Sequence, residues 1–302
     1  MENRSWDERW LDRAGRDVPP IVWSKLGSVR RLVLLTLACE AWLALRFVPY
    51  SSHPGAYGGI AAALTGCAVL GWRERFARPA MGAGFLLLLG VVVSVFPHNA
   101  NHQFLMLLLL ALLLLVGSGR ERESADLDAV AALQAMRWIA AIGIFWAGVM
   151  KLVYGHWLGG GFLAFRIAND PGFALVLGPL LPAAELARLQ SLGAEVGAGP
   201  FQADAPLLLV VSNGTWLAEL ALPPLLLWRR TRQPAMVATI ILFVAIQLGA
   251  REVFFGGLMV GLLLLYSDRD RVATALPWIA GIYLFWLLRP EWQRWLAAGT
   301  GA

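Results

Sequence analysis

The chain alternates long apolar stretches with short polar ones. Apolar runs fall at roughly 32–49, 56–72, 79–96, 102–118 and 133–153, and again at roughly 206–228, 235–250, 253–266 and 272–289. A stretch such as "FLMLLLLALLLLVG" (104–117) belongs in lipid rather than in a water-soluble core. Several runs are shorter than the ~20 residues that a perpendicular spanning helix needs. The 235–266 region reads either as two short spans or as one long helix with Arg251 and Glu252 in its middle. The pattern predicts an all-α integral membrane protein, a polytopic bundle of about 8–9 transmembrane helices. A long, partly polar stretch over 154–205 is expected to form an extramembrane loop. Near the start, "SWDERWLDRAGRD" (5–17) sets Trp6 and Trp10 one turn apart among charges, which suggests a short helix lying on the membrane surface. The expected organisation is one membrane domain over 32–289, with an interfacial segment (1–31) before it and a short tail (290–302) after it.

Composition agrees with that reading and excludes others. The chain is 58% hydrophobic and 15% charged, where a soluble domain carries about a quarter charged residues. Its net charge of +5 comes from arginine, with Lys25 and Lys151 the only lysines. The arginines sit in short loops rather than along one face, so the basic balance reflects topology and not nucleic acid. With nine spans, 18 of the 25 Lys and Arg residues fall in alternate loops: the N-terminal segment, "RERFAR", "RERESADLDAVAALQAMR", "RRTR" and "DRDR". The positive-inside rule makes that set cytoplasmic, together with the N-terminus, and turns 154–205 outward. The short loop "FPHNANH" (96–102) falls on the outer side as well, so His98, His102 and Lys151 all lie near the outer interface. No cleavable signal peptide is expected, since the first 31 residues are charged and interrupted by "VPP". Cys39 and Cys67 lie in apolar stretches without a CxxC spacing and read as buried thiols rather than a disulfide.

Candidate chemistry starts at Lys151, in "FWAGVMKLVYGHWLGGG" (145–161). A charge at a helix centre costs about 2.5–3.5 kcal/mol on insertion scales, and less near the interface, where a long side chain snorkels. One reading is therefore an anchor. The other is a base, because an amine in apolar surroundings gives up its charge more readily and arginine does not. Trp157 fits a headgroup anchor, and Gly159, Gly160 and Gly161 serve either close ligand approach or a flexible exit from the span. His98 and His102 share a helix face if the helix begins before 98, but no HExxH and no third ligand accompany them, so no metal is expected. Glu40 and Glu219 are carboxylates inside apolar spans and must face the bundle interior or a wet cavity. Each reads as a structural ion pair, for Glu40 with Arg46 or with another helix, or as a site wall or proton path. Arg251 with Glu252 reads as a loop or structural pair; in a single 235–266 helix, these two and Gln247 would line the cavity. No Walker loop, GxSxG elbow or haem motif is present.

"FWAGVMKLVYGHWLGGGFLA" resembles the "AG-x-x-K-L…W-x-x-G" signature of the vitamin K-dependent gamma-carboxylase and HTTM (horizontally transferred transmembrane) family. "NHQFLMLLLLALLLL" (101–115) resembles the "NH" that opens an apolar helix upstream of it, and "NGTWLAELALPPLLLWRRTR…FVAIQLGAREVFFGG" resembles later family blocks more loosely. The resemblance covers roughly 30–266 and is sharpest at Asn101-His102, Lys151-Leu152 and Trp157. It implies that Lys151 deprotonates a reduced quinone, vitamin K hydroquinone or menaquinol. Oxygen then adds, the alkoxide so formed removes a γ-proton from a peptide glutamate, and CO2 traps the carbanion. His102 would serve the carboxylation step, with Asn101, His98, Trp157, Glu219 and Gln247 lining the site. Gln247 stands where the family often has histidine, and no large C-terminal domain is expected after the last span. Shorter bacterial members look like the membrane core alone, which implies the bacterial cytoplasmic membrane with the site facing outside. The resemblance leaves open a non-catalytic factor that matures or exports a secreted peptide, or binds lipid or quinone.

Overall fold

The computed structural model describes residues 20–45, 53–95, 101–116, 122–192, 201 and 204–288, without the side chains of Val95, Asn101 and 122–125. The surface helix expected at 5–17, Arg46, His98 and the 290–302 tail lie outside these residues. Every regular element among the described residues is helical. In chain order they are α1 (Pro20–Ala44), α2 (Pro54–Gly71), α3 (Glu74–Val95), α4 (Asn101–Leu115), α5 (Arg122–Tyr154), α6 (Gly161–Asn169), α7 (Pro171–Leu177), α8 (Ala183–Ser191), α9 (Pro206–Leu227), α10 (Arg232–Ala250), α11 (Val253–Leu264) and α12 (Arg271–Leu288), with a 3-10 turn at Gly178–Leu180.

Six of these are long and apolar enough to cross a bilayer: α2, α3 over Glu74–Ser94, α5 over Asp126–Tyr154, α9, α10 and α12. The chain is an integral membrane protein, all-helical among the described residues. α1 has the length, at 25 residues, but carries Lys25, Arg30, Arg31 and Glu40. α4 has 15 residues and α11 has 12, about 22 and 18 Å of helix against about 30 Å of hydrocarbon.

Three differences from the sequence reading have physical causes. α1 starts at Pro20 rather than near 32, because proline suits a first turn and the charges that looked like a loop find protein partners. α5 likewise runs back to Arg122. The 154–205 stretch is not an open loop but holds α6, α7 and α8. Of the two readings of 235–266, the two-helix one holds, with the break where Arg251 takes φ 58.

The chain divides into two compact units, Met1–Arg137 with Val253–Ala302, and Trp138–Glu252. In the first, α1 packs against α2, α3, α4, α11 and α12. Leu32, Val33 and Leu34 are all buried. Three consecutive buried positions span about 200° of a helix's circumference, so α1 packs against protein on more than one side. Gly261 of α11 supplies the close approach, for any Cβ there would strike the Leu32 side chain. Cys39 and Cys67 are free and buried.

One end of this unit is held by charge. α11 ends inside the unit in a tight turn: the N–H groups of Leu265, Tyr266 and Ser267 donate to the Leu262, Leu263 and Leu264 carbonyls, and the carbonyls of the turn itself are left to other donors. Lys25, only 4% exposed, donates to the Leu265 and Ser267 carbonyls. Arg137 donates to Leu265 from Nε at 3.1 Å and Nη2 at 2.9 Å, and the Tyr266 hydroxyl donates to the Arg137 carbonyl. Cations are favoured at a helix C-terminus for the same electrostatic reason. Beside them Ser28 donates to Asp270 at 2.9 Å, Trp23 to Asp126 at 3.0 Å, and Arg30 meets Glu74 through two bonds of 2.7 and 2.9 Å.

In the second unit, α6 packs on α7 and α8, α7 on α10, and α9 on α10. Leu163, Ile167, Phe173, Leu189, Phe201 and Leu208 form its buried core. Asp170 starts α7 by accepting the Gly172 N–H at 2.8 Å, and it also pairs with Arg166 at 2.7 Å.

Candidate functional site

Lys151 sits in the last turn of α5, in the second unit. Its ammonium donates to both oxygens of Glu219 on α9, at 2.6 and 2.7 Å. The Lys151 side chain is 19% exposed and that of Glu219 only 5%, so the pair is reached from the lysine side. Gly148, about one turn before Lys151, makes the contact available. A Cβ there would lie 3.0 Å from the Glu219 Cβ and 3.0 Å from the Leu220 side chain. Only a residue without a side chain lets the backbones approach so closely.

α9 is loosened at the same level. Pro223 and Pro224 lie inside it, four residues after Glu219 and Leu220, so neither of those two carbonyls receives its helical N–H. The chain leaves α5 through Gly155 and Gly160, with φ of 70 and 69, a region where glycine carries no side-chain penalty. This linker is fastened to α9: Ser212 donates to the Trp157 carbonyl at 2.6 Å and Asn213 to the Leu158 carbonyl at 3.1 Å. The Trp216 indole donates to Asn213 at 3.0 Å and holds that amide in place. Trp157 is thereby set under Lys151, with the ammonium 4.9 Å from the ring centroid, and stacks on Phe162 at 4.6 Å. The glycines and Trp157 are a tied-down corner, not a flexible exit.

His102 belongs to the first unit. Its Nε2 lies 3.2 Å from Glu40 Oε1, and its ring stacks on Phe255 at 5.8 Å. The partner of Glu40 is thus a histidine on another helix. Tyr57, Gln103 and Leu37 line a cleft beside Glu40. Gln247 stands in the last turn of α10, in the second unit, its Oε1 buried without a hydrogen-bond partner among the described residues. Its backbone carbonyl accepts the Arg251 N–H at 3.0 Å, which ends the helix. Asn101 opens α4, but its side chain, like His98, lies outside the described residues.

The structure therefore brings together Lys151, Glu219 and Trp157, and separately His102 and Glu40. Sequence reasoning named all five but missed both pairings, along with Gly148, Ser212 and Asn213. One signal was available: Lys151 and Glu219 are single charges of opposite sign in apolar spans, and each needs a partner.

Chemically, the Lys151 nitrogen and both Glu219 oxygens share hydrogen bonds in surroundings where a separated charge is costly. Proton movement at either group then involves both. The fold and this pair define a polytopic helical membrane protein with a buried ion pair where a span ends. No family model, curated protein or solved structure matches the chain.

Proposed function

We propose that the chain is a membrane enzyme of quinol-dependent chemistry resembling the vitamin K-dependent gamma-carboxylases, with Lys151 as the base that takes a proton from the reduced quinone. Oxygen and CO2 are its co-reactants, a glutamate of a secreted peptide is the carboxyl acceptor, and His102 serves the later step. The observation that supports this reading most is the placement of Lys151: an amine at the end of an apolar helix, mostly buried, bonded to a carboxylate able to take up its proton. Counting α1, α4 and α11 with the six longer helices gives nine passes. The N-terminus is then cytoplasmic in the bacterial cytoplasmic membrane, and the end of α5 faces outward. The gathering of Lys25, Arg30 and Arg137 at one end of the first unit supports that orientation.

Oxygen-dependent oxidation of menadiol by the purified protein in lipid nanodiscs is the test. Wild type should consume menadiol, Lys151→Ala should abolish consumption with the fold intact, and His102→Ala should uncouple it from CO2 fixation. Unchanged turnover in both variants would sink the assignment. The closure of Lys151 on Glu219, which satisfies both charges without a ligand, favours one second reading: a non-catalytic lipid- or quinone-binding factor for a secreted peptide. Protein that retains bound quinone yet never oxidises menadiol would favour it.

A further inference from the structure

We infer that Glu219 is a positioning and proton-holding residue, taking the ammonium proton of Lys151 so that the neutral amine can receive another from a lipid-soluble hydroxyl compound. This step rests on Lys151 acting as a base, as proposed above. At rest the ammonium and the carboxylate, 2.6–2.7 Å apart, form a pair of no net charge. A proton bound to Lys151 Nζ first moves to a Glu219 oxygen: one N–H bond breaks, one O–H bond forms, and amine faces carboxylic acid. The hydroxyl compound then gives its proton to the amine, breaking its O–H bond and forming a new N–H bond. Ammonium, carboxylic acid and an alkoxide or phenolate remain, again with no net charge. No isolated ion is created at any stage, which is the condition for proton transfer in a region of low dielectric.

Three features fit this role better than that of a brace. Glu219 is the more buried partner, so an entering hydroxyl group meets the amine first and the carboxylate lies behind it. Gly148 brings the backbones together at this level, which keeps the transfer distance short. Trp157 lies over the ammonium, and its face stabilises the cation in both the resting and the final state. Among the described residues, the groups shown against Lys151 are the Trp157 indole, which does not titrate, and the Glu219 carboxylate.

Infrared difference spectra of the full-length protein in lipid nanodiscs, recorded on adding 4-octylphenol, test the inference without any quinone chemistry. Wild type should develop the C=O band of a protonated carboxyl, shifted in D2O, together with phenolate absorbance. Both should vanish in Glu219→Gln and return in Glu219→Asp. Both should also be lost in Lys151→Arg, which keeps the charges and therefore any bracing role but cannot release its proton. If Glu219→Gln does not fold, the Glu219→Asp and Lys151→Arg proteins still decide. Absence of the band in wild type, its persistence in Glu219→Gln or its persistence in Lys151→Arg would each overturn the relay. Menadiol oxidation separates the two claims: oxidation without the carboxyl band removes Glu219 and leaves Lys151 as the base, whereas the band without oxidation keeps the relay and removes the quinol reading.

Discussion

A carboxylate 5% exposed beside an ammonium 19% exposed cannot lose its partner cheaply. Lys151→Met should destabilise the protein by about 3–5 kcal/mol, because it strands Glu219 as a buried charge. The double change Lys151→Met with Glu219→Leu should cost clearly less than the sum of the single changes, as measured by a thermal-unfolding cycle in detergent. Gly148 offers an independent lever. With 3.0 Å between its absent Cβ and both Glu219 and Leu220, Gly148→Leu should lower stability by about 1–3 kcal/mol through overpacking. It should also part the ion pair, and proton transfer to Glu219 should be lost with it. The sequence exposed Lys151, Glu219 and His102 as chemically notable because ionisable groups are expensive in apolar spans. It could not pair them, since Lys151 and Glu219 meet across 68 residues of chain.

At the level of elements, charge patterning misled the sequence reading in an instructive way. Lys25, Arg30 and Arg137 looked like loop residues because free cations avoid helices in lipid. In the structure they are helical, and their charges are spent on the turn after α11 and on Glu74. The turn that closes this 12-residue helix within the protein needs donors for its Leu265 and Ser267 carbonyls. Lys25→Met and Arg137→Met should each therefore cost about 1.5–3 kcal/mol, the range for hydrogen bonds to charged groups. Chemical unfolding monitored by near-UV circular dichroism would measure both. An unchanged midpoint in either variant would refute the capping role. The sequence offered the break between α10 and α11 as one of two readings and left it open, because apolar residues lie on both sides of Arg251 and hydropathy alone does not register a residue turned to positive φ.

For the whole molecule, the membrane class follows from composition and run length, and it needs no tertiary information: 58% hydrophobic residues in long runs have no soluble solution. Orientation rests on the arginine asymmetry and is open to direct measurement. A membrane-impermeant maleimide added to intact cells should label His156→Cys and spare Arg75→Cys and Arg229→Cys, with all three reacting once the cells are lysed. Reversed labelling would invert the topology. The long 154–205 stretch, by contrast, was read as a loop, because its helices are short and their apolar residues meet only in the fold. Phe173, Leu189 and Phe201 form one core there although 28 residues separate the first from the last. By itself, then, the sequence determined the solvent this protein lives in, its helical class and which side chains were too costly to be incidental, for these depend on the transfer energies of individual residues. Only the tertiary structure decided which charge meets which, where Gly148 lets two helices touch and why the glycines after α5 form a fastened corner, because each depends on the distance between residues far apart in the chain.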